Sequence, residues 1–129
     1  MKRTSISFLL LFLFFASCGL TTSKARLALM RWSSDVRYLP PGTSGTSEIG
    51  ASSVDDNSGE IVVEGIQESE NSATADLKFD NFKYDANGRE RSYSGKGTAT
   101  FAKYNDGTWV LKKVTTAQNT WDNLDFKAN

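Results

Sequence analysis

The chain has 129 residues, with 15 Lys plus Arg against 15 Asp plus Glu, one Cys, two Pro and no His. Without histidine there is no imidazole base, no histidine metal ligand and no side chain whose ordinary pKa lies near physiological pH. One cysteine cannot form an internal disulfide or a thiolate cage, and a balanced charge argues against a nucleic-acid binder that works through a basic surface.

The chain opens with the basic run Met1-Lys2-Arg3, followed by an almost wholly apolar stretch from Ile6 to Ala16 and the small residues Ser17, Cys18 and Gly19. This is the layout of a secretory signal, n-region, h-region and small-residue cleavage site. A spanning helix needs about 20 apolar residues, so the run is short for a membrane span. Phe15-Ala16-Ser17-Cys18 resembles the lipobox of bacterial lipoproteins, with Phe15 where that family usually carries Leu. The resemblance implies a signal peptide of residues 1–17, cleavage before Cys18 and lipidation of Cys18. The protein would then be anchored to a membrane of the cell envelope. The sole cysteine of the sequence falls at this position, and a lipidated thiol is no longer an unpaired one in an oxidising compartment. Ordinary cleavage of a soluble secreted protein is the alternative. Removing Lys2 and Arg3 leaves 13 basic against 15 acidic side chains.

Residues 18–59 are expected to hold a short tether, a helix and a flexible linker. Ala25, Leu29, Trp32, Val36 and Leu39 recur at steps of four and three and form one apolar stripe, which predicts a helix over about 24–39. Thr22 or Ser23 can cap it, and Pro40-Pro41-Gly42 can end it. Gly42 to Gly59 is rich in Gly, Ser, Thr and Asp and reads as a linker. Its end, Asp55 to Glu60, offers oxygen ligands but lacks the spacing of an EF-hand calcium loop. Leu39 to Asp76 holds eight acids and no Lys or Arg, whereas Lys78 to Lys113 holds eight basic residues and four acids.

Residues 60–129 are expected to form an antiparallel β domain. Ser69-Glu70-Asn71, Ala86-Asn87-Gly88 and Asn105-Asp106-Gly107 each suit a three-residue hairpin loop whose last residue takes positive φ. Closing them pairs Glu68 with Ser72, Asp85 with Arg89 and Tyr104 with Thr108. Walking outward, Ile61 meets Phe79, Leu77 meets Gly97, Ala73 meets Phe101 and Phe101 meets Leu111. These paired residues are all odd-numbered and share one face, while the even face, from Glu64 through Lys112, is polar.

An apolar face must be covered, and the helix stripe is the expected lid. The expected fold class is α+β, one N-terminal helix packed on a four-stranded antiparallel meander. Thr98-Ala99-Thr100-Phe101, the Asn105-Asp106-Gly107 turn and Trp109-Val110-Leu111 resemble the closing hairpin of NTF2-like and cystatin-like secreted domains. That resemblance implies a small-ligand pocket between helix and sheet, which Trp32 and Trp109 would line. A cavity of several hundred Å³ there would mark a pocket protein, and a filled core an interaction module.

No phosphate loop or metal-ligand spacing is present, and no catalytic residues, cofactor, metal or nucleic-acid partner is expected. Glu64 and Asp76 lie opposite each other, but on a wet face where solvent screens them. Phe82 and Tyr84 are expected on that same face beside Lys83, Arg89 and Arg91. Exposed aromatics among arginines are the composition of protein-contact hot spots; cover of the two rings by a second layer or by the C-terminal segment is the alternative. Phe82, Tyr84, Arg89 and Arg91 are therefore the candidate contact residues for a protein partner. The expected function is that of a small lipid-anchored, non-enzymatic binding or interaction module.

Overall fold

A computed structural model describes residues 19–38, 54–55 and 60–129. The signal segment, Cys18, Leu39 to Gly42 and most of the expected linker lie outside the described residues.

The helix, α1, spans Thr22–Val36, two residues earlier than the stripe suggests. Its cap is Thr21, whose hydroxyl accepts from Lys24 N–H at 3.2 Å, the satisfaction of a terminal donor that Ser and Thr caps provide. It ends when Arg37 turns extended, ahead of the prolines. Ala25, Ala28, Leu29, Trp32 and Ser33 are buried, and Val36 packs at the margin. The buried Ser33 hydroxyl is satisfied by donating to the Met30 carbonyl oxygen at 2.9 Å.

The strands are β1 (Val54–Asp55), β2 (Ile61–Glu68), β3 (Ser72–Ala86), β4 (Arg89–Lys103), β5 (Trp109–Thr116), β6 (Thr120–Trp121) and β7 (Phe126–Lys127). β2 to β5 make the expected antiparallel meander, and the class is α+β. The sheet exceeds four strands, however. β1 adds to β2 in parallel, while β6 and β7 both pair with the far side of β5. These two-residue strands are too short to show periodicity.

Much of the expected register is present: Ile61 pairs with Phe79, Leu77 with Gly97, Ala73 with Phe101 and Phe101 with Leu111. Two of the turns differ. Asn87 and Gly88 form a two-residue turn with φ of 56° and 84°, pairing Ala86 with Arg89 and Asp85 with Glu90. Positive φ at both central residues is what an Asn-Gly hairpin turn supplies. Likewise Glu68 pairs with Ala73, not Ser72, and Ser69 N–H donates to Ser72 O at 2.8 Å. The third turn is as expected, with Gly107 at φ 88° and Tyr104 N–H donating to Thr108 O.

Each ladder of the meander carries one bulge. The register shifts at Glu64 between β2 and β3, at Asp80-Asn81 between β3 and β4, and at Lys112 between β4 and β5. An extra residue bends its strand, increases twist and moves every later side chain to the other face. The inward set is therefore not uniformly odd. It switches to Ile66 in β2, to Phe82 and Tyr84 in β3 and to Val114 in β5. β4 runs without an extra residue, and its odd positions Tyr93, Ala99 and Phe101 stay inside. The sheet consequently curls around α1.

At Asp80-Asn81 the added residue is Asn81 in the left-handed region at φ 52°, its N–H donating to Ser94 Oγ at 2.9 Å. Asn tolerates that backbone region better than most side chains. Deleting Asn81 is expected to turn Phe82 and Tyr84 outward and abolish the cooperative thermal transition. Asn81→Gly should melt within a few degrees of wild type, and Asn81→Val should cost about 1–3 kcal/mol. At the centre of the sheet a Cβ on Gly97 would stand 2.5 Å from the Phe79 ring and 2.9 Å from the Thr115 carbonyl oxygen. Gly97→Val is accordingly expected to lose about 1–3 kcal/mol in denaturant titration, while Thr98→Val changes stability by less than about 1 kcal/mol.

Candidate functional site

Trp32, Phe79, Phe82, Tyr84, Tyr93 and Trp121 form one aromatic cluster between helix and sheet. Trp32 stacks on Phe82 with ring centroids 5.3 Å apart and 22° between planes, and meets Phe79 and Trp121 edge-on. Phe82 continues the stack to Tyr84, and Tyr84 is capped edge-on by Trp121 at 5.0 Å. Stacked and edge-to-face pairs add about 0.5–1.5 kcal/mol each beyond the area they bury. Tyr84 donates its hydroxyl to Gln118 Oε1 at 3.0 Å. Trp32 Nε1 is buried with no hydrogen-bond partner, so this position gains ring contact at the cost of an unsatisfied donor.

This geometry corrects the placement of Phe82 and Tyr84. Both are buried, 0% and 1% exposed, because the residue added at Asn81 turns them from the wet face to the core. Neither can make a first contact with a partner. Arg89 and Arg91 are exposed, opposite Ala86 and Tyr84 respectively. Trp32 and Trp109 are also buried, and the space around Trp32 is filled by rings. Trp109 lies elsewhere in the layer, with the Lys103 ammonium 5.8 Å from its ring centroid.

β3 and β4 run past their neighbours. β2 begins opposite Phe79, and β5 ends opposite Gly97. Beyond those rows the hairpin from Asp80 to Ser94 is a two-stranded arm, and among the described residues no strand pairs with either of its edges. Trp32, Trp121 and Gln118 buttress its inner face. Lys83, Asp85, Arg89, Glu90, Arg91 and Ser92 are exposed on it. Asp85 and Glu90 stand directly opposite each other, a like-charge pairing that weakens a hairpin.

The outer face of the sheet holds a shallow, open groove of about 490 Å³ lined by Glu64, Asp76, Lys96, Thr98, Thr115 and Thr116, among others. Asp76 accepts from Gln67 Nε2 at 3.2 Å. The two carboxylates are exposed and share the groove with the Lys96 ammonium. In the β4–β5 turn, the Thr108 main-chain N–H and then its hydroxyl hold the Asp106 carboxyl below the ordinary aspartate range. This is the stabilised form of an Asx turn. Among the described residues no group of three or more acidic, Cys or His side chains is placed to hold a metal ion, and no described helix is long and apolar enough to cross a membrane.

The sequence reading did not single out Asn81 and Gln118. Asp80-Asn81, two turn-forming residues inside an apolar alternation, is the signal that marks the bulge. Gln118 carries no local signal, because its role depends on where Tyr84 points. No protein-family model, curated protein or solved structure matches the chain.

Phe82→Ala is expected to cost about 3–5 kcal/mol in urea denaturation and Tyr84→Phe about 0.5–1.5 kcal/mol through the lost Gln118 bond. Arg91→Ala should stay within about 0.5 kcal/mol of wild type. A Phe82→Ala variant as stable as Arg91→Ala would show that the arm is not packed on α1.

Proposed function

We infer that this is a small lipid-anchored protein of the cell envelope, attached through Cys18, whose domain is a non-enzymatic module that binds a protein partner through the β3–β4 arm. The observation that carries the binding mode is the filled aromatic layer under α1. Trp32, Phe79, Phe82 and Tyr84 are each at most 1% exposed and in ring contact with one another, so contact through the surface fits better than a small ligand held between helix and sheet. What supports the arm as the contact surface is its form. It projects past the flanking strands, among the described residues no strand pairs with either of its edges, and its inner face packs on Trp32, Gln118 and Trp121. A rigid edge loses little conformational entropy on binding and can accept an added strand. Arg89 and Arg91 lie along it, and the Asp85–Glu90 opposition is a pairing that a cationic partner would relieve.

The test is in cells. Wild-type protein should carry lipid at Cys18, seen by mass spectrometry of the mature N-terminus, and should enter the detergent phase on extraction. Cys18→Ser should lose both properties. A photo-crosslinking residue at Arg91 should trap a protein partner that one at Lys113, on β5, does not. Unmodified Cys18 in the aqueous phase would overturn the anchoring, and equal crosslinking at the two positions would overturn the arm.

A further inference from the structure

The residues just after Cys18 are built into the domain. Leu20 is 6% exposed and belongs to the core cluster. Its N–H donates to Glu68 Oε1 at 2.8 Å, at the end of β2. Gly19 lies so close to the same carboxylate that an added Cβ would stand 2.8 Å from it. α1 follows almost at once, at Thr22. A lipid on Cys18 would therefore be joined to the folded domain with Gly19 alone between, and two residues span at most about 7 Å. No flexible tether separates anchor and domain.

The end of the sheet to which Leu20 is tied also carries the largest exposed aromatic of the described surface. Glu68, Ala73, Phe101 and Leu111 form one row across β2 to β5, and both the 69–71 and 104–107 turns lie beyond that row. The Lys103 N–H, donating to Asn71 O at 2.9 Å, joins the two turns. Tyr104 is 45% exposed, with the Lys112 ammonium 3.3 Å from its hydroxyl and over its ring. An amphipathic ring beside lysines is the side-chain combination enriched at membrane–water interfaces.

We propose that the domain stands end-on upon the lipid surface, with the 69–71 and 104–107 turns against the headgroups, Tyr104 inserted among them, and the β3–β4 arm pointing away. The proposal rests on the anchoring reading above and adds an orientation to it. Glu68, Glu70 and Asp106 also lie at that end, so the contact is the Tyr104 ring and the lipid chain, with no requirement for anionic lipid.

Because Cys18 is the sole cysteine and is consumed by the lipid, one added cysteine can be labelled uniquely. Lipidated full-length Glu70→Cys and Arg89→Cys proteins, each carrying a nitroxide, are bound to zwitterionic phosphatidylcholine vesicles containing a paramagnetic-chelate lipid. The two positions are separated by most of the length of β3, about 45 Å for its 15 residues, so relaxation of the Glu70 label should be more than about fivefold stronger. Ten Gly-Ser residues inserted between Cys18 and Gly19 leave the fold untouched and give a coil of about 17 Å. That insertion should bring the ratio towards one, and Tyr104→Ser should reduce it. Lipidated protein on vesicles with equal relaxation at both labels would overturn the orientation while leaving the anchor standing. A ratio unchanged by the insertion would also overturn it. Protein that carries no lipid and stays off the vesicles would overturn both.

Discussion

Trp32 has to be enclosed by a single sheet, and a flat sheet covers only one side of a ring that size. The bulge at Asp80-Asn81 resolves this by bending the β3–β4 hairpin and turning Phe82 and Tyr84 toward the helix. Trp32 is then stacked on Phe82 and met edge-on by Phe79 and Trp121. The bulges at Glu64 and Lys112 act on the flanking strands in the same sense, turning Ile66 and Val114 inward. Three extra residues in separate strands thus serve one end, a concave surface matched to one helix. Curvature of this kind needs bulges or glycine kinks, because regular pleating gives twist without it.

The helix is also held at its ends by polar contacts. Leu20 N–H bonds Glu68 just before its first turn, and Arg37 reaches Glu60 at 3.6 Å just after its last. α1 therefore runs antiparallel to β2, tied near each of its ends. On its outer side Arg31 donates to the main-chain oxygens of Lys127 and Asn129, which fastens the segment after β7. Exposed ion pairs contribute little individually. Their value here is geometric, since they fix the rotation of the helix that presents Trp32 to Phe82.

The legible part of the fold was the part with local signals. The helix stripe through Ala25, Leu29, Trp32 and Val36 was visible by its period, and the Asn105-Asp106-Gly107 turn by its chemistry. The register between Phe79 and Gly95 was obtained through two offsetting departures: the Asn87-Gly88 turn is one residue shorter than assumed, and the bulge at Asp80-Asn81 restores the count. Between the two the parity is wrong, and that interval contains Phe82 and Tyr84. The same happened between Glu64 and Glu68. A period-two argument carries the correct face only as far as the nearest bulge. Among the candidate contact residues the bulge moved only Phe82 and Tyr84, which are buried, while Arg89 and Arg91, opposite Ala86 and Tyr84, are exposed.

Burial of Phe82 and Tyr84 changes what they can contribute to binding without making them irrelevant to it. An isolated two-stranded hairpin is at best marginally stable in water, so an arm without them would fray and lose part of any binding energy to ordering. Stacked on Trp32 and closed by Trp121 and the Tyr84–Gln118 hydrogen bond, the arm holds its edges in one conformation before any partner arrives. The aromatic cluster thereby links the stability of the core to the shape of the surface proposed to bind. Weakening the Trp32–Phe82 stack should loosen the arm before the centre of the sheet, because Leu77, Ala75 and Ala99 keep their own cover under α1. Loss of hydrogen-exchange protection at Lys83 and Ser92 ahead of Ala75 and Ala99 is the order this arrangement requires.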